Sequence, residues 1–162
     1  MDIKIEIAKE NDIEPIHDLI VKRCKCFDEN NIKQWDMSYA KRYDKDYFKN
    51  QISTNLMYVA KYDETIAGCM LLKNKDEDCW QDYEPSYYIH HLVTDILYKG
   101  IGKSLINFAI NKARNDNKEN LRLDCFKSNI KLNNYYKNLG LEEKGSGKIG
   151  GYTYNLWEFK IW

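Results

Sequence analysis

An α/β fold, one mixed sheet with helices on both faces, is what this sequence predicts. Three observations carry that expectation. Strand-length apolar segments alternate along the chain with segments of helical period. Turn-forming residues separate them, at Asp63-Glu64, at Gly100 to Gly102, at Gly140 and from Gly145 to Gly151. No internal repeat and no Pro- or Ser-rich linker divides the 162 residues, so a single domain over 1–162 is expected.

Ile3, Ile5 and Ile7 alternate with Lys4 and Glu6, the period of a half-buried first strand. Asn11 and Asp12 offer a helix cap, Pro15 is tolerated in the first turn, and Ile13, Ile16, Leu19, Ile20 and Arg23 follow at helical spacing. After the polar stretch 28–31, the run IKQWDMSYAKRYDKDYF mixes aromatics with charge and predicts a second helix near 45–52. Segments 56–61 and 65–73 flank Asp63-Glu64 as a hairpin. The loop KDEDCWQDYEP follows, with no basic residue from Asp76 to Glu84. YYIHHLV, residues 87–93, reads as a buried strand; the glycine pair punctuates it, and Ile101, Leu105, Ile106, Ala109 and Ile110 form an apolar helix face. Residues 121–126 make another strand, and 129–139 a helix that stops at Gly140, a suitable C-terminal cap. The glycine-rich tail predicts a closing hairpin.

The formal net charge of zero argues against a general electrostatic grip on nucleic acid or an anionic membrane. No apolar run reaches the ~20 residues needed to cross a bilayer. MDIKIEIAKE reads as a strand and not as a secretion signal, so a cytoplasmic location is expected. Cys24, Cys26, Cys69, Cys79 and Cys125 form no C-x-x-C pair, and only His17, His90 and His91 supply imidazoles, which predicts reduced, packed thiols and no metal. Most of the thirteen tyrosines read as packing and surface residues.

The segment LVTDILYKGIGKSL carries the chemistry. It sets Gly100 and Gly102 between a strand and a helix, where free N–H groups and the helix dipole make an anion site. A β-carbon there would hold a pyrophosphate away from the backbone, and Lys99 and Lys103 add positive charge. Two phosphate-binding motifs fail against the letters. Gly102-Lys103-Ser104 matches the end of a P-loop, but its first glycine would have to stand at position 97, which is Leu97. A dinucleotide fingerprint would need a third glycine where Leu105 stands.

What remains resembles the GNAT superfamily of acyl-CoA N-acyltransferases. The pyrophosphate loop of that family reads Gln or Arg, two free positions, Gly, one free position, then Gly or Ala. The matching run is Leu97-Tyr98-Lys99-Gly100-Ile101-Gly102, in which Leu97 departs from the first position. The family uses the stretch largely through backbone amides, which Leu97 is expected to supply. A second block agrees: Asn129, then Tyr136, then Gly140 followed by Leu141, in the family's spacing. The run NIKQWDMSYA is similar to the acceptor-side region of small bacterial members.

The resemblance implies a mixed, mostly antiparallel twisted sheet of six or seven strands, flanked by about four helices, with splayed central strands. It implies acetyl-CoA as co-substrate, an amine as acceptor, direct transfer in a ternary complex, and a monomer or homodimer. The cofactor-binding set it implies is Leu92, Val93, Thr94, Tyr98, Lys99, Gly100, Ile101, Gly102, Lys103, Ser104, Asn129 and Tyr136. Val93 would meet the pantetheine arm as an added strand does, and Lys131 or Lys137 would reach the 3′-phosphate. Tyr136 is expected to protonate the departing thiolate. An amine of pKa ~10.4 costs ~4.6 kcal/mol to deprotonate at pH 7, so the site needs a base or a lowered amine pKa. His90 is the chosen base, with Asp82 or Glu84 acting through water as a further option; adjacent strand positions put His90 and His91 on opposite faces. The acidic loop suggests a cationic acceptor. A non-catalytic acyl-CoA sensor and a P-loop-like nucleotide-binding enzyme are the alternatives.

Overall fold

The alternation that opens the chain forms β1 (Ile3–Ile7), paired antiparallel with β2 (Met57–Tyr62) in the computed structural model, which describes residues 2–162. A 3-10 turn over Glu10–Asp12, where the Asp12 carboxylate accepts the Lys9 amide at 2.8 Å, leads into α1 (Ile13–Glu29). The predicted apolar stripe is buried: Ile16, Leu19 and Ile20, joined by Cys24.

The segment after α1 holds two helices, the expected one over 45–52 and a shorter one before it, so the α-helices number five among the described residues. Asp36 starts α2 (Met37–Arg42) by accepting the Ser38 amide at 2.8 Å and the Tyr39 amide at 3.3 Å. Asp44 starts α3 (Lys45–Ile52) in the same way, accepting the Tyr47 amide at 2.9 Å. Six residues are too few for a period to stand out, and the capping aspartates were the signal to read.

β3 (Thr65–Lys73) returns beside β2 through Asp63 and Glu64, which take φ of +44° and +64°, the left-handed pair a two-residue hairpin requires. β4 (Ser86–Thr94), α4 (Ile101–Asn115), β5 (Asn120–Phe126), α5 (Ile130–Asn138), β6 (Glu142–Ile149) and β7 (Tyr152–Lys160) complete the chain. The sheet order is β1-β2-β3-β4-β5-β7-β6. β4 and β5 pair in parallel over Ser86–Tyr88 and Asn120–Arg122, whereas β1 with β2, β2 with β3, β5 with β7 and β6 with β7 are antiparallel. The expected mostly antiparallel sheet of six or seven strands is thus present, with seven.

The chain forms two compact units. The first runs up to Leu72 and adds His90–Phe108; its core includes Ile16, Ile20, Phe48, Met57, Val59 and Val93. Gly68 allows a close approach within it, since a Cβ there would lie 2.6 Å from Ile101 and 3.0 Å from the Val93 carbonyl. The second comprises Lys73–Ile89 and Ala109–Trp162. Its long pairing of β5 with β7 ends in the predicted hairpin, turned at Gly150 and Gly151. All five cysteines are free thiols. No helix among the described residues is long and apolar enough to cross a membrane.

Candidate functional site

β4 ends where Arg23 of α1 donates to the Thr94 carbonyl and Lys22 meets the Asp95 carboxylate at 2.7 Å. The Asp95 amide donates to the Ala67 carbonyl at 2.8 Å. Asp95 then closes a turn, its side chain accepting the Leu97 amide at 2.9 Å and its carbonyl the Tyr98 amide at 3.3 Å. This corrects the sequence reading: the Leu97 amide is spent on Asp95 and is not offered to an anion. The donors lie further on. The first bond of the α4 ladder runs from the Ser104 amide to the Gly100 carbonyl at 3.0 Å, so the amides of Ile101, Gly102 and Lys103 precede the ladder. Gly100 turns the chain at φ +85°, and a Cβ on it would meet nothing within 4 Å. Lys99 and Lys103 are exposed beside this turn, with Tyr98, Gly102 and Ser104 half-buried and Ile101 buried. Leu92, Val93 and Thr94 lead directly into it along β4.

His90 and His91 do not behave as neighbours on a regular strand. His91 takes φ +52°, and the two rings lie 6.2 Å apart instead of on opposite faces. His91 is buried and bonded at both ring nitrogens, to the Tyr39 hydroxyl at 2.5 Å and the Tyr47 hydroxyl at 2.9 Å. His90 is half-buried.

In the second unit, Asn129 caps α5, its side chain accepting the Leu132 amide at 3.2 Å. The residue expected to bind cofactor therefore has a structural task for its carboxamide oxygen. Asn133, which the sequence reading missed, fixes the helix. Its Nδ2 donates to the carbonyls of Phe126 and Asn129, at 3.0 and 2.8 Å. Its Oδ1 accepts from Asn155 Nδ2 and Trp157 Nε1, at 2.9 and 3.1 Å. A buried asparagine inside a helix is disfavoured unless so satisfied, which was its signal. One turn on, Tyr136 is 5% exposed, and burial, then Cys125 and Asp124, pushes its phenol well above the usual value. Gly140 follows at φ +90°, and the Leu141 amide bonds back to the Tyr136 carbonyl at 3.2 Å, the predicted helix stop. Lys131 and Lys137 are exposed on α5.

Half-buried Asp76, Cys79 and Asp124 bring two carboxylates and a thiol within 4.8 Å of one another, a grouping hidden in sequence because Asp124 stands on β5 and the others in a loop. Tyr154 joins it by hydrogen-bonding Cys79; burial and these neighbours push the Tyr154 phenol up to about 12. Burial, then Asp124 and Asp76, raises the Cys79 thiol, so it is protonated at neutral pH.

The acidic loop also has a structural use. Arg122 of β5, 2% exposed, donates Nη1 to Asp82 at 2.7 Å, Nη2 to Glu84 at 2.8 Å and Nε to Glu158 at 2.8 Å. Its guanidinium also reaches the Tyr88 hydroxyl at 3.2 Å and lies 4.3 Å from the Trp80 ring centroid. Burial opposes its charge, yet the bonds to Asp82, Glu158 and Tyr88 hold it more firmly protonated than usual. The Arg122 hydrogen bond in turn lowers the Asp82 carboxyl. The water-relay role considered for Asp82 or Glu84 is thereby set aside: both carboxylates are engaged by a buried cation, and Asp82 is a weakened base.

The Acetyltransferase (GNAT) family matches residues 20–141. The sequence is 27% identical over 162 residues to YesJ, an uncharacterized N-acetyltransferase of Bacillus subtilis strain 168, covering 95% of this chain and 88% of that protein. A GNAT-family acetyltransferase from Listeria monocytogenes shares the fold with TM-score 0.79 and 24% identity, over 98% of this chain and 94% of that one. The PaiA N-acetyltransferase of Thermoplasma acidophilum, solved with coenzyme A, aligns with TM-score 0.76 and 19% identity over 99% of each chain. YncA of Salmonella typhimurium, solved with its cofactor acetyl-CoA, gives 0.74 and 12%, over 99% of this chain and 95% of that one.

Proposed function

The chain belongs to the GNAT acetyltransferase family, and from that premise we propose that it moves an acetyl group from acetyl-CoA to a primary amine within one ternary complex. The observation that carries the reading is the corner at Gly100, where a left-handed glycine with open space beside it precedes the amides of Ile101, Gly102 and Lys103. Those donors and the dipole of α4 suit a diphosphate, and exposed Lys99 and Lys103 add charge. Coenzyme A in the Thermoplasma protein and acetyl-CoA in the Salmonella protein support the choice of co-substrate.

Acetyl-CoA supplies the activated thioester. The main chain of Leu92, Val93 and Thr94 holds the pantetheine arm as an added strand would, with Tyr98, Ser104 and Asn129 contributing to the cofactor site and Lys131 or Lys137 to the 3′-phosphate. His90 takes a proton from the acceptor's ammonium group, and the neutral amine so formed attacks the thioester carbonyl; His91 is unsuited because its two nitrogens are bonded to Tyr39 and Tyr47. Tyr136 gives its proton to the sulfur as the carbon–sulfur bond breaks. The acceptor is cationic, drawn by the carboxylates of Asp76 and Asp124.

Acetyl-CoA at about a hundredfold above its Kd should raise the melting temperature by roughly 5–10 °C, and ATP with magnesium should not. Release of free thiol across a panel of amines, peptides and antibiotics then identifies the acceptor. Binding without turnover on any amine would favour a sensor, and a response to ATP alone would sink the proposal. Gly100→Val tests the corner itself. The fold loses the ~1–2 kcal/mol of a left-handed non-glycine residue, and a Cβ there would meet no protein atom within 4 Å. Calorimetric affinity for acetyl-CoA is expected to fall by about tenfold or more; unchanged affinity would place the diphosphate elsewhere.

A further inference from the structure

His91 stands inside β4 at φ +52°, buried to 5%. A left-handed conformation costs a non-glycine residue about 1–2 kcal/mol and persists only where its surroundings enforce it. The enforcement is visible. The Tyr39 hydroxyl, from α2, bonds Nδ1, and the Tyr47 hydroxyl, from α3, bonds Nε2. A neutral imidazole has one N–H and one lone pair, so one hydroxyl accepts and the other donates, and both ring positions are used in either tautomer. Tyr43 packs edge-on at 4.4 Å between centroids and Phe48 at 5.5 Å. The Cys69 thiol approaches the His91 carbonyl at 3.8 Å, which ties down the backbone as well.

We propose that His91 is a positioning residue for acyl transfer: clamped by Tyr39 and Tyr47, it holds the left-handed step in β4 that aims the main chain of Leu92, Val93 and Thr94 at the thioester. The proposal rests on the acetyltransferase reading. Left-handed steps of this kind re-aim a strand, and relaxing φ to an extended value would swing the following peptide groups away. The clamp also joins β4 to α3 and to α2, which takes in the last four residues of the acceptor-like run, so both substrates depend on one packed cluster.

The double variant Tyr39→Phe/Tyr47→Phe keeps the rings and removes both hydroxyls. With the amine found by the panel, kcat is expected to fall about tenfold or more, whereas the KM for acetyl-CoA, to which the unaltered diphosphate corner contributes alongside the pantetheine contacts, rises by no more than about threefold. Amide exchange at Leu92–Thr94 should quicken by about tenfold, with β7 unchanged. His91→Gly and His91→Val separate positioning from packing. Glycine reaches φ +52° freely and valine does not, so glycine should retain the higher kcat although valine is the better strand former. A double variant with kcat and exchange both within about twofold of the wild type overturns the clamp, as does a valine variant that matches the glycine one. Should the double variant melt below the assay temperature, the single Tyr47→Phe carries the same comparison. A wild type with no turnover on any amine defeats the acetyltransferase reading separately, and the exchange rates then decide whether the hydroxyls hold the strand.

Discussion

Tyr136→Phe should lower kcat by about two orders of magnitude, the usual scale for loss of a general acid, and leave the acetyl-CoA dissociation constant within about threefold. Only one oxygen is removed, and the ring remains packed in the second unit, so stability should change by about 1 kcal/mol or less. The phenol suits the task because burial keeps it protonated across the neutral range. Proton delivery to a thiolate is nevertheless uphill. Taking cysteine as the measure of a thiol, the gap is at least ~1.5 pKa units, about 2 kcal/mol. That cost is met only as the carbon–sulfur bond breaks and charge develops on sulfur, so the loss should appear in kcat. Steady-state kinetics at saturating amine checks this, and an unchanged kcat would remove Tyr136 from the chemistry.

Arg122→Met is expected to be the most destabilising single change. It takes from the Glu158 carboxylate, 6% exposed, the guanidinium that bonds it at 2.8 Å and leaves only the longer pairing with Lys144 at 3.5 Å. Breaking one side of a buried ion pair costs about 3–5 kcal/mol, which corresponds to roughly 6–20 °C in melting temperature for a chain of this size. Asp82 and Glu84, about half exposed, can be rehydrated and should contribute little to the loss. The double variant Arg122→Met/Glu158→Leu removes both charges and should recover most of the stability. The sign of the pH effect follows from Asp82, whose carboxyl is lowered by the Arg122 hydrogen bond. Its contribution is present above the unfolded value of ~3.9 and is lost as pH falls through the lower folded value. Wild type should therefore lose this stabilisation below about pH 4, and Arg122→Met should lack that part of the acid response. Thermal melts from pH 2 to 7 would show it; a variant as stable as wild type would mean that the cluster is merely tolerated.

Several features were legible in the letters because their causes are local. The strand period of Ile3, Ile5 and Ile7, the stripe of Ile16, Leu19 and Ile20, and the turns at Asp63-Glu64, Gly100 and Gly140 each depend on residues within one or two turns of chain. The cap pattern at Asp36 is equally local, but the six-residue helix it starts is too short for its period to stand out. The turn at Gly100 was legible, but the Leu97 amide does not join its donors, because the bond from that amide to Asp95 is a side-chain choice that spacing does not reveal.

By itself, then, the sequence determined the order of strands and helices, the glycine corner at the head of α4, and the Asn129 to Leu141 block with Tyr136 on its buried face. Tertiary structure alone decided which charges and rings meet. Sheet register opposes Arg122 to Glu158 across β5 and β7, and packing of α2 and α3 brings Tyr39 and Tyr47 to His91 from 52 and 44 residues away. The physical reason is range: backbone preference acts between neighbours in the chain, whereas a buried charge or a left-handed histidine is stable only when partners distant in sequence satisfy it.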